Sequence, residues 1–187
     1  MAELSGYKSR VAHQVEAAPD GLNVVAKVVP QGLFDTVKHS TRFMVSDVKT
    51  AAGANNEIFY IKNDDHDRVL VVEHVFVYDM TGTAEQVIFS PVTGTAASGT
   101  AMTVYNLHVG SSEVAQATVQ SGTNITGLTL TGPQLSDYIE LQKSAVDILH
   151  GIPIVLDENQ AAALSCVTGA LARTFMVIFS FMELTDL

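Results

Sequence analysis

The C-terminal run RTFMVIFSFME, residues 173–183, constrains the fold more than any other segment of the chain. Bulky apolar side chains recur there at every second residue: Phe175, Val177, Phe179 and Phe181. A period of two residues is that of a β-strand, in which successive side chains point to opposite faces. The run therefore predicts a strand that buries its aromatic face.

Other segments share the β-branched and aromatic residues typical of strands. They are RFMVSDV from Arg42, EIFYIKN from Glu57, VLVVEHVFVYDM from Val69, EQVIFS from Glu85, MTVYNL from Met102, VAQATVQ from Val114, ITGLTL from Ile125 and GIPIVL from Gly151. Turn-forming segments such as PVTGTAASGT and VGSSE separate them. About nine strands at spacings near ten residues are typical of a sandwich or barrel. We predict an all-β fold, an antiparallel β-sandwich, over residues 43–187.

Helix is expected in two places at most. LSDYIELQKSAVDIL, Leu135–Leu149, places apolar residues on one helical face, although its Ser, Asp and Tyr residues are weak helix formers. DENQAAALS is a shorter candidate, with Asp157 as its cap. The apolar stretch from Ala161 to Met182 is long enough to cross a bilayer, but Arg173 near its middle is costly in lipid, so we predict no membrane helix there.

Residues 1–42 differ from the rest in pattern and in charge. Apart from LNVVAKVV they lack clean periodicity, and they carry five basic and four acidic residues, whereas residues 43–187 carry five basic and sixteen acidic residues. We interpret residues 1–42 as an extended N-terminal arm, with a pair of edge strands in the main sheet as the alternative. No basic head followed by an apolar run is present at residues 1–10, so a secretion signal is not indicated.

The net charge of −10 bears on the partners that the body can bind. An acidic surface repels phosphates, which argues against a DNA- or RNA-binding role. The excess of carboxylates has two interpretations, general solubility or a contrast with the arm that lets the arm lie on another surface.

Residues suited to catalysis or metal binding form no recognisable motif. The six histidines lack zinc-site spacing, and the single cysteine, Cys166, lies in the apolar run ALSCV, where a thiol packs as a small hydrophobe. NDDHD, residues 63–67, offers Asp64, Asp65 and Asp67 as oxygen ligands but lacks the pattern of a calcium loop, so we favour a solvated turn and leave cation binding open.

Catalytic pairs are equally poorly marked. Glu73 and His74 are adjacent on a predicted strand, so we expect their side chains on opposite faces. Asp137 and Glu140 form a conceivable carboxylate pair for glycoside cleavage, although nothing selects them. We therefore predict a protein that is not an enzyme and needs no cofactor or metal.

One motif resembles a known class of proteins. Gly99-Thr100, a short strand at Met102–Tyr105, Asn106-Leu107, Gly110-Ser111-Ser112 and the strand Val114–Val119 follow one another as in small virion structural proteins of tailed bacteriophages. The order EIFYIKN, VLVVEHVFVYDM, this motif, GIPIVLDENQAAALSCV and a last aromatic strand also agrees, over about residues 41–184. The usual Asn-Leu-Asn is here Asn106-Leu107-His108, which leaves the role of the third position in doubt.

This resemblance implies a jelly-roll sandwich, often trimeric, that decorates or cements the capsid. The implied partner is the major capsid protein, and the implied location is the capsid surface of a virion assembled in the host cytoplasm. A tail adaptor or receptor-binding fibre component and a small carbohydrate-active enzyme remain as alternatives. If the arm contacts the capsid, its candidate residues are Tyr7, Lys8, Arg10, Lys27, Lys38 and Arg42.

Overall fold

The computed structural model describes residues 11–17, 24–30, 41–79, 86–132, 145–167, 169 and 172–183, with the backbone alone for the first two ranges. These residues form strands and connecting turns, and no helix occurs among them. The strands are β1 (Val11–Ala17), β2 (Val24–Pro30), β3 (Arg42–Thr50), β4 (Asn56–Asn63), β5 (Arg68–Asp79), β6 (Val87–Ala97), β7 (Thr100–Ala101), β8 (Tyr105–Asn106), β9 (Ala117–Ser121), β10 (Thr126–Leu130), β11 (Ala145–Asp147), β12 (Ile154–Leu156), β13 (Ala161–Cys166) and β14 (Ala172–Glu183).

Two six-stranded sheets enclose the core. The β4 sheet has the order β10-β6-β13-β4-β9-β7, and the β14 sheet has the order β11-β5-β14-β3-β8, with β12 also paired to β5. Neighbouring strands in both sheets run antiparallel. The predicted all-β sandwich is thereby confirmed, and its jelly-roll topology stays a prediction.

The core lies between the two sheets and contains the predicted aromatic row of β14. Phe175, Val177, Phe179 and Phe181 are all buried. Phe175 meets Phe59 of the opposite sheet with ring centroids 5.2 Å apart, and Phe179 stacks on Phe43 at 5.7 Å. Burial of each such ring contributes about 2–3 kcal/mol. The two-residue period of β14 therefore determines which of its faces packs against the opposite sheet.

The candidate helix at DENQAAALS is wrong. Asp157 and Gln160 close a turn through a backbone hydrogen bond of 3.0 Å, and β13 begins at the next residue. β13 lies between β4 and β6, and all six of its residues are buried. A central strand covered on both faces reads as a continuous apolar run, which explains why its sequence shows no alternation.

The predicted turn PVTGTAASGT is largely strand. β6 leaves β13 at Val92 and continues alongside β10 as far as Ala97. Gly94, with φ of 101°, lies in the left-handed region that glycine tolerates, and a Cβ there would meet the carbonyl oxygen of Gly127 at 2.2 Å. The glycine that indicated a turn therefore allows the long strand to curl.

Two further predictions can be compared with the structure, the N-terminal arm and the second candidate helix. β1 and β2 pair with each other as a separate two-stranded sheet, not as edge strands of either six-stranded sheet. Of the candidate helix Leu135–Leu149, residues 145–147 are the strand β11 and 148–149 begin a turn, whereas 135–144 lie outside the described residues.

The apolar stretch from Ala161 to Met182 contains β13 and most of β14, as expected of a segment that is not a membrane helix. Within the described ranges, no helix is long and apolar enough to cross a membrane. Arg173 is fully buried at the beginning of the inward row of β14, and its Nη1 donates to the Ala172 carbonyl at 3.0 Å.

Candidate functional site

The outer face of the β14 sheet is apolar where an exposed sheet face is usually polar. Because Phe175, Val177 and Phe179 point inward, the alternate residues Met176 and Ile178 point outward. The same parity places apolar side chains outward on the neighbouring strands. The resulting set, here called the outer apolar face, is Met44, Val48, Val71, Phe76, Tyr78, Tyr105, Val155, Met176 and Ile178.

Strand register places these residues on one surface, in which Ser46 and Thr174 lie among them and Val71 is buried. Met44 is aligned with Tyr105 on one side and Ile178 on the other, and Met176 is aligned with Phe76. Exposure is highest toward the ends of the face: Tyr105 57%, Val48 50%, Val155 44% and Tyr78 37%. Contiguous exposed apolar surface of this kind marks interaction sites more often than it marks ordinary surface.

Two polar contacts lie within the outer apolar face. The Arg42 guanidinium pairs with the Glu73 carboxylate at 2.7 Å. Nδ1 of His74 lies 2.8 Å from Oδ2 of Asp147, and the His74 ring stacks on Phe76 with centroids 5.4 Å apart. Each carboxylate therefore has a local partner that is suited to neutralise it.

The expected placement of Glu73 and His74 on opposite faces is wrong. The pairing of β5 with β14 shifts register so that Ile178 opposes His74 while Phe179 opposes Val72. This β-bulge at Glu73 lets Val72 and Val75 both enter the core, and both intervening side chains face outward. Glu73 and His74 nevertheless contact different partners, as expected of residues that do not act as a pair.

Asp147 holds the edge of this face in place. Its Oδ1 accepts hydrogen bonds from the backbone N–H groups of Val75 and Leu149, each at 3.2 Å. The Asp147 carboxylate thus joins β11 to β5 at the point where β11 ends. Its contact with His74 is part of this anchoring, which gives the histidine–carboxylate pair a structural role.

The motif around Asn106 forms a loop at the edge of the β14 sheet. The Asn106 side chain accepts from the His108 N–H at 2.8 Å and donates to the Glu113 carbonyl at 3.2 Å, while Gly110 adopts a φ of 93°. These bonds bring the two ends of the loop together. The loop leaves Val109 93% and Val114 69% exposed, close in sequence to Tyr105 of the outer apolar face.

The acidic turn at residues 63–67 is built by its own side chains. Asn63 is fully buried; its amide donates to the Arg68 and Leu156 carbonyls at 2.9 and 3.0 Å, and its Oδ1 accepts from the Asp65 N–H. The Asp65 carboxylate accepts from the Asp67 and Arg68 N–H groups and pairs with the Arg68 guanidinium at 2.7 Å. The predicted turn is confirmed, although its first and third residues are buried rather than solvated.

Charge around this turn follows from these contacts. Burial alone would raise the pKa of Asp65, but the Asp67 N–H and the Arg68 guanidinium outweigh it and bring the pKa below its usual value. The pKa of Asp64 is likewise lowered, because Lys62 and Thr118 outweigh the effect of burial. Ligand atoms of Asp65, His66 and Asp67 lie within 4.8 Å of one another, yet Asp65 is already engaged by its neighbours.

The same end of the molecule gathers other carboxylates. One open cleft is lined by Asp64, Asp65, His66, Asp67, Arg68, Glu113, Gln116 and Glu183. Among the described residues that line this cleft, Arg68 is the only one with a permanent positive charge. This cluster, here called the acidic end, contrasts in charge with the outer apolar face.

The predicted arm residues are placed as follows. Tyr7, Lys8, Arg10 and Lys38 lie outside the described residues, as do the carboxylates Asp137 and Glu140. Lys27 lies in β2. Arg42 is the first residue of β3 and takes part in the outer apolar face, so it belongs to the sandwich. Cys166 is buried in β13 and packs in the core, as predicted.

Sequence reasoning missed the outer apolar face as a site. The signal was present in VLVVEHVFVYDM and RTFMVIFSFME, whose two alternating faces are both largely apolar. Comparison of the chain with protein-family models, with curated proteins and with solved structures finds no match.

Proposed function

We propose that this chain is a non-enzymatic virion structural protein of a tailed bacteriophage, a decoration or cement protein that binds neighbouring major capsid subunits on the capsid surface. The observation that carries the proposal is the apolar loop at residues 107–116, where Val109 is 93% and Val114 69% exposed. Apolar surface at this density suits a protein partner, because its burial supplies the main driving force for protein association.

The charge distribution supports the same assignment. The acidic end disfavours contact with nucleic acid, whose phosphates need basic partners. The described polar clusters consist of ion pairs and turn contacts that stabilise the fold, such as Arg42 with Glu73 and Asp65 with Arg68. A structural protein of a shell needs such stabilising contacts and does not need a catalytic group.

The resemblance supplies the virion context. Its strand order coincides with β4, β5, β12, β13 and β14, and its Asn-Leu motif corresponds to the bonded loop at Asn106. A block repeated many times on a shell gains from many identical contacts, since each bound contact raises the effective concentration for the next. The proposal includes a homotrimer, with residues 1–42 lying across the capsid acceptor.

Binding to capsids tests the proposal directly. Purified chain is mixed with parent-phage capsids that lack it, and bound protein is measured by cosedimentation. We expect saturable binding that is weakened at least tenfold by Val109→Asp, because this substitution puts a charge on a 93% exposed apolar contact. Leu130→Asp, a change at an exposed leucine of the opposite sheet, is the matched control. Capsids that bind no chain would overturn the proposal.

Arm truncation examines the second contact. Deletion of residues 1–40 removes β1 and β2, which pair with each other and with neither six-stranded sheet, and is expected to reduce capsid binding. Unchanged capsid binding would remove the arm from the interface and leave the loop as the contact.

A tail adaptor or receptor-binding component is the second candidate, favoured by the exposed apolar loop as a recognition surface. Immunogold labelling of parent particles separates the two locations. Label spread over the heads supports decoration, and label confined to the tail transfers the assignment to the tail component.

A further inference from the structure

We infer that the outer apolar face is the surface through which copies of this chain pack together around a closed symmetry axis. The starting observation is that β14, the central strand of its sheet, carries apolar residues on its outer face between Thr174 and Ser180 as well as on its inner face. Phe175 and Val177 fill the core, whereas Met176 and Ile178 lie on the outside. An antiparallel sheet with two apolar faces is expected to bury both.

The other sheet meets this requirement within the chain. Tyr60, Ala161 and Ala163 face outward from the β4 sheet and are buried in one cluster with Ile125, against which Leu128 packs. The Ile125 N–H donates to the Glu57 carbonyl at 2.9 Å and fixes this return of the chain. On the β14 sheet, Val48, Tyr78 and Val155 retain 37–50% of their exposure.

The size of the outer apolar face suits a protein interface. Strands β5, β14 and β3, with the short β11 and β12 following one another along β5, give four strand positions at about 4.8 Å spacing and a width of about 20 Å, and nine residues of β3 give a length of about 30 Å. The projected area is on the order of 600 Å². A stable interface of ordinary size buries about 800 Å² on each partner, so one such face comes close to what a specific oligomer needs.

Charge favours a second copy as the occupant. The outer apolar face carries Arg42, Glu73 and Asp147 as its ionic groups, so its net charge is −1 with His74 neutral, on a chain of net charge −10. Packing of identical copies around one axis brings equivalent surfaces close to that axis, and a strongly acidic surface there would repel its copies. The acidic end would do so, whereas on this face Arg42 offsets Glu73 and only the charge of Asp147 remains.

Side-chain types agree with this assignment. Tyr78 and Tyr105 provide large rigid contact areas with a polar tip, as is common at interfaces. Met44 and Met176 are flexible enough to fit the surface of another subunit. The inference deepens the proposed function and rests on it for the number of copies, whereas the identity of the surface rests on the sheet itself.

Sedimentation equilibrium of the full chain, with capsids absent, tests the inference. We expect an oligomer at micromolar concentration, and at least a hundredfold weaker association for Val48→Asp and for Tyr78→Asp. The matched control is Leu130→Asp, which puts the same charge at a leucine that is 56% exposed on the other sheet. Circular dichroism melting establishes that each variant is folded before its association is measured.

Each outcome tests only whether the outer apolar face mediates self-association. An oligomer that Val48→Asp or Tyr78→Asp dissociates while Leu130→Asp does not would support the inference. A wild-type monomer at about 100 μM, or an oligomer equally sensitive to Leu130→Asp, would overturn it. Because no capsid is present, this failure is distinct from failure of the proposed function, which shows only in the cosedimentation experiment.

Discussion

The outer faces of the two sheets differ in how far they are covered by the rest of the chain. On the β4 sheet, Ala163 is completely buried in a cluster that includes Ile125, from the segment leading into β10. On the β14 sheet, the central strand presents outward-facing Met176, and Val48 and Tyr78, which flank Thr174 of that strand, are substantially exposed. One sheet thus completes its packing within the chain, and the other presents apolar surface. The comparison indicates that curling of β6 and β10, rather than composition alone, decides which face is available for a partner.

The largest effect is expected at the covered face. Ala163→Asp places an unpaired carboxylate at a position with 0% exposure, and we expect a loss of about 4 kcal/mol or more in the free energy of unfolding. Urea denaturation followed by circular dichroism measures the change. A stable, folded Ala163→Asp variant would show that the covered face opens easily and would remove the contrast between the sheets.

The curl that covers this face depends on Gly94. Gly94→Ala puts a Cβ at 2.2 Å from the Gly127 carbonyl oxygen and requires a φ of 101° from an L-residue. We expect a destabilisation of about 2–3 kcal/mol. The control is Gly110→Ala, where φ is also positive but no atom lies within 4 Å of the new Cβ. Equal midpoints in urea for the two variants would mean that steric contact between β6 and β10 contributes nothing.

At the acidic end, the electrostatic contribution to stability can be measured apart from the contribution of packing. Because the pKa values of Asp64 and Asp65 are lowered by folding, their contribution is present above the unfolded value of about 3.9 and is lost as pH falls through the lower folded values. Asp65→Asn should cost about 1–2 kcal/mol at pH 7 and flatten the fall in stability on acidification. Thermal midpoints measured from pH 7 to pH 2 test this, and parallel curves for wild type and variant would contradict it.

The smallest effect on the stability of a single copy is expected at the outer apolar face. Val48→Asp changes a half-exposed position, and the free energy of unfolding at low protein concentration should move by no more than about 0.5 kcal/mol. Urea denaturation at a concentration where the protein is monomeric provides the measurement. A loss as large as that of Ala163→Asp would show that Val48 is packed within its own chain.

The local sequence pattern predicted a strand correctly where the tertiary structure agrees with that pattern. β14 and β5 were found nearly to the residue, since their length and β-branched content leave few alternatives. β13 was read as helix because AAALSC carries no period, and only its position between β4 and β6 makes it a strand. The predicted strand MTVYNL contributes only Tyr105–Asn106 as β8, since pairing with β3 is limited to two residues.

The candidate surface was harder to predict than the fold. Whether an apolar outward residue is covered depends on segments distant in the chain, as Ile125 over Tyr60 shows. The bulge at Glu73 likewise arises from register with β14 and has no local signature in EHVF. Alternation indicated which residues share a face, but the state of that face is a property of the tertiary structure.

The burial of Cys166 in β13 has a kinetic consequence. Cys166 has 0% exposure and packs in the core between the two sheets, so a thiol reagent reaches it only when that part of the core opens. Since the chain contains one cysteine, its labelling rate reports a single opening event. With excess reagent that reacts faster than the strands close again, this rate equals the rate at which the sandwich opens. Labelling of Cys166 thus measures the unfolding rate of the native protein without an added probe.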